Sequence, residues 1–516
     1  MSDKKKIMSS VDVGSVNDFQ KDDSEKKSIK LSKSRFMAGI QCPKRLYLIT
    51  HPPEGNESQD DGLNLQIING YEVGDMACKL YPGEMVAYKQ GLAAALDETK
   101  RLVTDESVSR IHEATFSYDN VLVRVDLLER SGSSWVLTEV KASTSVKAHY
   151  ITDAAIQAWV LQGCGLTLAS VNLMHVNNEF VYQGNGDYHG LLHAEDISYS
   201  VLELLPAIGD KKSEFLRVLE SELPDVEMGE QCGSPFTCEF VSVCQKVVKP
   251  EFPVSLLPRC SAKKRNELME AGYSDVRDIP DGLLTNANHQ RVWRATTAGK
   301  AEVNLSELSV INDWSWPRYY LDFETINLAV PRWEGVRPYS QVPFQWSCHI
   351  HQADGQMSHV EFLDVTGADP RRACAEALVE HIGLDGILIA YNAGFEKRVI
   401  RELAQMYPDL SEALLEMNER FVDLLPVTRA GYYHPSQKGS WSIKAVLPAL
   451  VPELNYSDLD GVQDGGDAQI AWYDAAGETD EKRALIAGQL LEYCKLDTWA
   501  MVKIVDVLQS KVSRHS

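Results

Sequence analysis

The alternation of apolar and polar positions divides the chain into stretches of strand and helix. In "SRIHEATFSYDNVLVRVDLLER" and "WVLTEVKAS", β-branched and apolar residues recur at the short spacing that is typical of strands. "DAAIQAWVLQGCG" is typical of a helix, and "ALIAGQLLEYCKLDTWAMVKIVDVL" is typical of a longer one. Because strands and helices are mixed in this order along the chain, the pattern predicts an α/β multidomain protein.

Changes in this pattern divide the chain into four parts. Residues 1–30 are polar and charged, and we expect a disordered tail there. Residues 31–250 and 314–516 each mix strands and helices, which predicts two α/β domains. Residues 251–313 consist of short helical segments with polar joints, which predicts a helical linker. The length of 516 residues agrees with two or three domains.

Composition and charge narrow the functional classes. With 44% hydrophobic and 24% charged residues, the chain is ordinary for a soluble globular protein. Its formal net charge of −23 argues against a protein that coats nucleic acid non-specifically, since such binding needs Lys and Arg, but it allows an enzyme with a locally basic cleft. No run approaches the roughly 20 apolar residues of a membrane span. The N-terminus lacks the apolar segment of a signal peptide, so we expect a cytoplasmic protein without a membrane partner.

Two acids in "YYLDFETINLAV", Asp322 and Glu324, lie on one face of a predicted strand. Neighbouring carboxylates repel each other, so the pair is either solvated on an edge strand or bound to divalent cations. Two later stretches of the sequence favour the interpretation that the pair binds divalent cations. "ILIAYNAGFEKRVI" places Glu396 just past an apolar strand, and "LLEYCKLDTWAM" places Tyr493 and Asp497 four residues apart on one helical face.

The motifs "DFE", "NAGFE" and "YCKLD" resemble those of the DnaQ-like 3′–5′ exonucleases of the DEDDy subtype, over residues 314–516. The resemblance implies an RNase H-like domain that uses two metal ions, Mg²⁺ or Mn²⁺. It assigns the metals to Asp322, Glu324, Glu396 and Asp497, and it assigns the orientation of the attacking water to Tyr493. Glu396 departs from the family pattern, which has Asp there, and its extra methylene puts the geometry of the second metal in question.

Several polar residues between the second and third motifs are candidates either for substrate contacts or for supporting the fold. They are Asp423, His434, Lys438 and Lys444. The stretch "SWSIKAVLPAL" resembles a helix that packs beneath such sites.

A second group of acids lies in the earlier half. "VLVRVD" is an apolar strand predicted to end at Asp126, and "LTEVK" places Glu139 and Lys141 on one face of the next strand. "DAAIQAW" adds Asp153 and Gln157, four apart on one helical face. Carboxylates with a backbone carbonyl can bind Mg²⁺, and a lysine beside them can position water and balance developing charge.

The order D…E-x-K…Q resembles the RecB-like branch of the PD-(D/E)XK nucleases, which have a restriction-endonuclease-like fold. The resemblance implies that Asp126 and Glu139 bind metal and that Lys141 and Gln157 have catalytic roles. Members of this family can take a further ligand from an N-terminal helix, and the candidates here are Glu72 and Glu113.

The cysteines form a third pattern. "GEQCGSPFTCEFVSVC" contains Cys232, Cys238 and Cys244 with five residues between neighbours, and Cys42 lies far upstream. In a cytosolic protein, disulfides are not expected. The set brackets the RecB-like segment and resembles the iron–sulfur nucleases of this branch, such as AddB subunits and CRISPR-adaptation nucleases, which implies a 4Fe–4S cluster. A zinc site is the alternative, although its cysteines are usually two to four residues apart. The other six cysteines are expected in the core: Cys78, Cys164, Cys260, Cys348, Cys374 and Cys494.

The predicted linker contains "LLPRCSAKKRNELMEAGYSDVRDIPD", which resembles a helix-hairpin-helix. Gly272 and the amides near Lys263, Lys264 and Arg265 are candidates for phosphate contacts. A packed helical spacer is an equal alternative.

The whole sequence resembles a bacterial domain-of-unknown-function family that joins an iron–sulfur RecB-like nuclease to a DnaQ-like exonuclease. The resemblance implies a metal-dependent nuclease with two active sites that processes DNA rather than RNA, in repair, recombination or phage defence. One alternative is a single-site exonuclease of RNA or DNA whose N-terminal half is a nucleic-acid-binding platform. Another is a non-enzymatic acidic scaffold.

Overall fold

The computed structural model describes residues 31–53, 64–245 and 250–514. The tail expected to be disordered, residues 1–30, lies outside this part of the chain. The described residues fall into two compact units, the first of residues 31–53 and 69–245 and the second of residues 64–68 and 250–514. Each unit combines helices with a mixed sheet, so the protein is a mixed α/β multidomain protein. The segment predicted as a linker, 251–313, groups with the second unit.

The first unit is built on a sheet flanked by helices. Its strands follow the order β2-β3-β4-β5-β6-β7, and β1 pairs with β4. Strands β3, β4 and β5 are antiparallel, whereas β6 is parallel to β5 and is reached through the crossover helix α5, as a parallel pair requires. In chain order the elements are β1 (Leu31–Ser32), α1 (Lys33–Gln41), α2 (Pro43–Thr50), α3 (Leu65–Leu80), β2 (Glu84–Met85), α4 (Leu92–Thr104), β3 (Arg110–Tyr118), β4 (Val121–Ser131), β5 (Ser134–Lys141), α5 (Ala148–Gly163), β6 (Leu168–Val176), β7 (Leu192–Asp196), α6 (Ser198–Glu220) and α7 (Val241–Cys244). Helix α3 belongs to this unit from Asn69 onward.

Strand β4 continues five residues beyond Asp126, where the sequence predicted that it ends. The apolar side chains of Leu127 and Leu128 are buried, and both residues pair with β5. The strand therefore ends only where the chain turns toward β5, and Asp126 lies in its middle.

The second unit has a five-stranded sheet in the order β11-β10-β9-β12-β13. Strands β9, β10 and β11 are antiparallel, and β12 is parallel to both β9 and β13. In chain order the elements are α8 (Ala262–Glu270), α9 (Ala287–Ala298), β8 (Glu302–Val303), α10 (Leu305–Leu308), β9 (Arg318–Ile326), β10 (Val342–His351), β11 (Met357–Leu363), α11 (Arg371–His381), β12 (Ile387–Ala390), α12 (Gly394–Met406), α13 (Ser411–Glu419), β13 (Phe421–Asp423), α14 (Leu424–Gly431), β14 (Tyr432–Tyr433), α15 (Ile443–Leu450), α16 (Gly465–Gly477) and α17 (Asp480–Ser513).

The central strand β9 is paired on both sides only in its first part. Strand β12 pairs with β9 from Arg318 to Tyr320, whereas β10 follows β9 as far as Ile326. Beyond Tyr320 the edge of β9 that faces β12 is open. Parallel strands separate at their carboxyl ends in this way, and ligands of open α/β sheets bind in such crevices.

The cysteines outside the cluster predicted from the sequence have different environments. Cys260, Cys348, Cys374 and Cys494 are buried, as expected, and Cys78 is half-buried. The prediction is wrong for Cys164, which is exposed because it follows the last turn of α5 at the surface. Its thiol donates to the carbonyl of Ser117. All ten cysteines are free of disulfides.

Among the described residues, no helix combines the length and the apolar character that crossing a membrane requires.

Candidate active sites and a cysteine pocket

The carboxylates of the second unit meet at the open edge of β9. Asp322 and Glu324 are two residues apart on β9 and therefore point to the same face of the sheet. Helix α17 packs against β9 and carries Asp497. One carboxylate oxygen from each of these three residues lies within 4.8 Å of the other two. The structure thus brings together acids from the first and third sequence motifs.

Glu396 lies in the first turn of α12, directly after β12, and it is 3% exposed. Its atom Oε2 is buried without a hydrogen-bond partner among the described residues. Glu396 is not part of the 4.8 Å group, but its charge raises the pKa of both Asp322 and Glu324. It is a fourth acid at the margin of the group of three.

The protonation of these acids reflects burial and mutual repulsion. Burial, followed by the charges of Asp497 and Glu324, raises the pKa of Asp322 well above its usual value. Burial also raises the pKa of Glu324 and of Glu396 to about 8, and that of Asp497 to about 6. A divalent cation bound among such acids would remove the repulsion. Oxygen donors suit Mg²⁺ and Mn²⁺, so the residues fit the ions that the sequence implies.

Two tyrosines and a lysine border the acidic group. Tyr493 lies one helical turn before Asp497, and Tyr456 donates a hydrogen bond of 2.5 Å to Oδ1 of Asp497. The Nζ atom of Lys444 lies 5.3 Å from the ring centre of Tyr456 and 5.6 Å from that of Tyr493. Its charge lowers the pKa of Glu324, which burial raises. Lys444 therefore provides positive charge close to the carboxylates.

Tyr456 is a residue that sequence reasoning missed. It lies in a short 3₁₀ turn, Tyr456–Asp458, 41 residues before its partner Asp497. No periodicity or motif connects the two positions, so only the tertiary structure relates them.

The other polar candidates of this region have local partners. His434 accepts a hydrogen bond from the amide of Ser436 and caps a 3₁₀ turn, and Lys438 donates to the carbonyl of Glu251 at 3.2 Å. Asp423 caps α14, although its charge also raises the pKa of Glu396. These contacts agree with the fold-supporting interpretation of His434 and Lys438.

The acids of the first unit lie on two paired strands. Asp126 is on β4 and Glu139 on β5, and Oδ2 of Asp126 accepts a hydrogen bond of 2.7 Å from the amide of Val140. Lys141 contacts the carboxylate of Glu139 and donates to Asp153 on α5 at 2.9 Å. The strands and the helix thus place the predicted acids and the predicted lysine side by side.

Gln157 joins this group from the buried face of α5. Its amide donates to Oε2 of Glu139 at 2.6 Å and to Oδ1 of Asp153 at 3.1 Å, and the side chain is 0% exposed. Gln157 therefore orients both carboxylates and is too deeply buried to project into solvent.

Lys33, the first residue of α1, completes the group and was missed from the sequence. Its Nζ atom lies 2.8 Å from Oε1 of Glu139 and 3.0 Å from Oδ1 of Asp153. Lys33 and Lys141 therefore bridge the same two carboxylates. Lys33 and Glu139 are 106 positions apart in the sequence, which explains why no local pattern reveals the contact.

Charge is distributed unevenly over this group. Burial and the charge of Glu139 raise the pKa of Asp126 to about 8. Burial alone would also raise the pKa of Glu139, but Lys33 and Lys141 hold that pKa below its usual range. The charges of the same two lysines also lower the pKa of Asp126, but by less than burial and Glu139 raise it. A divalent cation between the two acids would favour the ionised form of Asp126, so the donor set fits a hard metal ion.

The two acids proposed as further ligands differ in position. Glu113 is on β3 and pairs with Arg124 at 2.7 Å, and its charge raises the pKa of Asp126. Glu72 lies on α3.

The four cysteines predicted to bind a cluster line a single pocket of the first unit. Cys42 joins α1 to α2, Cys232 and Cys238 lie in the loop after α6, and Cys244 ends α7. Apolar side chains, including Leu48 and Phe240, line the same pocket. Burial raises the pKa of the Cys238 thiol.

The four thiols of this pocket match the donor sets of two metal groups. A 4Fe–4S cluster and a tetrahedral zinc ion can each be held by four cysteines. The lining therefore fits both groups that the sequence pattern leaves open.

The candidate phosphate contacts of the segment 251–313 lie at the start of α8. Ser261 caps this helix, Lys264 approaches Glu267 at 3.6 Å, and Arg265 donates to the carbonyl of Cys260 at 3.0 Å. Lys263 lies on the exposed surface of the same helix. Gly272 has a φ of +90°, which ends the helix in a turn that only glycine adopts without strain.

One segment of the chain is similar to a described family. Residues 319–442 match the model of a domain of unknown function, DUF2779. The match includes Asp322, Glu324 and Glu396 and ends before Tyr493 and Asp497.

Two individual proteins show weaker similarity. An uncharacterized protein, UU173 of Ureaplasma parvum serovar 3, is 28% identical over 165 residues, which cover 28% of this chain and 24% of that protein. The chain therefore spans about a quarter of the length of this curated relative. The solved structure of SSO0001 is 12% identical and aligns with 42% of this chain and 87% of its own. Its TM-score of 0.19 carries no argument about fold.

Proposed function

We propose that the protein is a metal-dependent nuclease with two active sites. The observation that carries the proposal is the group of Asp322, Glu324 and Asp497, in which one carboxylate oxygen from each residue lies within 4.8 Å of the other two. Glu324 and Asp497 are buried and Asp322 is half-buried. A bound cation would offset the cost of holding three acids together with so little contact with water. Tyr493 and Glu396 extend this group in the pattern that the DnaQ-like resemblance implies.

In the second unit, Asp322, Glu324 and Asp497 would hold the metal, with Glu396 at the margin. When bound, divalent ions would activate water and stabilise the charge of a phosphodiester under attack. Tyr493 would orient that water through its hydroxyl. Lys444, held between the two tyrosines, would attract the phosphate and balance developing negative charge. We assign to this unit an RNase H-like fold and 3′–5′ exonuclease activity.

In the first unit, Asp126 and Glu139 would hold metal and Lys141 would act beside them. The arrangement of these residues on the antiparallel pair β4–β5 supports the RecB-like resemblance. Gln157 would position Glu139 through its hydrogen bond. We assign to this unit a restriction-endonuclease-like fold and activity on single-stranded or end-exposed DNA.

The cysteine pocket would hold a 4Fe–4S cluster. The cluster would join Cys42, near the start of the first unit, to the three cysteines near its end. Its role would be structural, because it would tie together two segments that are distant in sequence.

One observation favours a second possibility, in which only the exonuclease site is active. The charge of Glu139 is already balanced by Lys33 and Lys141. The first unit would then be a binding platform for DNA or RNA, and its lysines would contact phosphate rather than assist cleavage.

Digestion of end-labelled single-stranded DNA, duplex DNA and RNA with Mg²⁺ or Mn²⁺ tests these proposals. Wild type would be compared with Asp322→Ala, Lys141→Ala and the double variant. Asp354→Ala and Lys211→Ala are matched controls, because both residues are exposed and neither belongs to a site.

We expect each single variant to lose a different set of products, with DNA preferred over RNA. If Asp322→Ala alone abolishes cleavage and Lys141→Ala only weakens substrate binding, the platform is the correct interpretation. Full activity in both variants would overturn the nuclease proposal.

A further inference from the structure

Helix α1 connects the two candidate sites of the first unit. Its first residue, Lys33, bridges Glu139 and Asp153, while Cys42, directly after its last residue, lines the cysteine pocket. At 1.5 Å per residue, nine residues span about 13 Å. A rigid element of this length transmits a displacement of one end to the other.

The beginning of α1 is fixed in register with the sheet. Leu31 and Ser32 form β1, which pairs with Val121 and Leu122 of β4, the strand that carries Asp126. The hydroxyl of Ser32 accepts a hydrogen bond from the amide of Arg35 and caps the helix. Lys33 therefore leaves the sheet at a defined point and in a defined direction.

The end of α1 is held by the loop that carries two of the cysteines. The side-chain amide of Gln41 donates to the backbone carbonyl of Gln231 at 2.7 Å and to that of Phe236 at 2.8 Å. Arg45, on α2, contacts Glu239 of this loop at 2.9 Å and Oε1 of Gln41 at 2.6 Å. The loop and the helix end are thus joined by polar contacts, and both contribute thiols to the pocket.

The contacts of Lys33 itself are those of a functional residue. It shares both carboxylate partners with Lys141, and its side chain is only 24% exposed. The ammonium groups of Lys33, on α1, and of Lys141, on β5, each contact both Glu139 and Asp153 and so restrain the two carboxylates.

We propose that Lys33 is a positioning residue of the acidic site formed by Asp126, Glu139 and Asp153, and that the cysteine pocket holds Lys33 in place through α1. The expected effect on kcat rests on the proposed function. The expected effect on the position of Lys33 rests on the contacts of α1 alone. The cysteine pocket then controls the acidic site without contacting it. Without a metal group in the pocket, the end of α1 would be held by the polar contacts of Gln41 and Arg45 alone, and Lys33 would be less firmly positioned.

The kinetic test uses the full chain with the exonuclease site removed by Asp322→Ala, so that cleavage of single-stranded DNA reports the first unit. In this background, Lys33→Met is expected to lower kcat by about 10- to 100-fold with little change in KM, as removal of groups that orient metal ligands does. Lys33→Arg is expected to restore most of kcat. Lys212→Met is the matched control, because Lys212 is also largely buried and bridges Asp119, outside the site.

The structural test is hydrogen–deuterium exchange of residues 33–41, which does not depend on activity. Cys238→Ser, and wild type treated with an iron chelator, are expected to exchange faster there, whereas Cys164→Ser is not. Gln41→Leu provides a second perturbation of the same connection that keeps all four thiols. Combining Lys33→Met with Cys238→Ser is expected to lower kcat no further than Lys33→Met alone, because both act on one element.

Wild-type kcat in Lys33→Met, or fully multiplicative effects in the double variant, would overturn the inference while leaving the nuclease proposal intact. Unchanged exchange of residues 33–41 in Cys238→Ser would also overturn it. If Lys141→Ala has no effect on cleavage, the proposed function of the first unit fails, and the exchange experiment alone then decides the connection through α1.

Discussion

Tyr456 and Asp497 form a hydrogen bond of 2.5 Å between the hydroxyl of the tyrosine and Oδ1 of the acid. The bond stabilises the ionised form of Asp497 and partly offsets the effect of burial, which raises the pKa of this acid to about 6. It also fixes the orientation of one carboxylate oxygen beside Asp322 and Glu324. Tyr456 therefore acts on the site through one of its acids.

Replacement of Tyr456 by Phe is expected to weaken metal binding. The ring remains while the hydrogen bond is lost, so the pKa of Asp497 rises further and the carboxylate is freer to rotate. We expect the affinity for Mn²⁺ at pH 7, measured by calorimetry, to fall by about 10- to 100-fold. Tyr273→Phe, in the same unit but outside the site, is the control. Equal affinities of wild type and Tyr456→Phe would contradict the role given to this bond.

Binding of metal at the second unit is expected to release protons. At pH 7, Glu324 and Glu396, with pKa values raised to about 8, are largely protonated before binding. Ligands must lose their protons to bind a cation, so the affinity for Mn²⁺ should increase from pH 6 to pH 8, by about tenfold per pH unit for each proton released. Calorimetry in two buffers with different ionisation enthalpies counts these protons. A binding enthalpy independent of the buffer would count against the prediction.

Substitution of Glu324 by Gln is expected to stabilise the metal-free protein at high pH. The folded state raises the pKa of Glu324 from 4.5 to about 8. Between these values the unfolded state binds fewer protons than the folded state, so the free energy of unfolding falls as pH rises. Because Gln does not ionise, this decrease in the free energy of unfolding is absent in the variant.

The measurement is thermal unfolding in the presence of EDTA. We expect Glu324→Gln to raise Tm by about 2–4 °C at pH 8 and much less at pH 5. Glu412→Gln, at an exposed position of α13, should change Tm little at either pH. Excess Mn²⁺ should raise the Tm of wild type more than that of Glu324→Gln. A variant less stable than wild type at pH 8 without metal would show that Glu324 is not under the proposed repulsion.

The metal content of the cysteine pocket gives a fourth prediction. Protein purified without oxygen should contain iron and acid-labile sulfide in equal amounts, about four of each per chain, and little zinc. Cys238→Ser should lose most of both, while Cys164→Ser, which changes an exposed cysteine, should retain them. One zinc per chain without sulfide would contradict the cluster and show that the pocket holds a mononuclear zinc site.

The sequence was most informative where the chemistry follows local periodicity. Asp322 and Glu324 share a face because strand side chains alternate, and Tyr493 and Asp497 share a face because they are four apart on a helix. Glu139 and Lys141 follow the same rule on β5. These pairs could be placed without tertiary structure. The residue at which β4 ends could not be placed in this way. Apolar residues continue beyond Asp126, and the strand ends only at the turn that leads to β5.

Contacts between distant segments were not predictable in this way. Lys33 reaches Glu139 across 106 residues, and Tyr456 reaches Asp497 across 41. Lysine and tyrosine are common residues, and neither lies in a motif that marks it. Cys164 was wrongly predicted to lie in the core because its neighbours in the sequence are apolar. Apolar neighbours do not determine whether other elements pack over the end of a helix.

The position of α17 has a consequence for the synthesis of the protein. The group of three acids needs β9 and α17 together, and ribosomes produce the chain from its N-terminus. Asp322 and Glu324 therefore leave the ribosome well before Asp497, and until then the third acid of the group is missing. A nascent chain that has completed the sheet still lacks the helix that unites the three acids, so the acidic group of the second unit is assembled only once translation has passed α17.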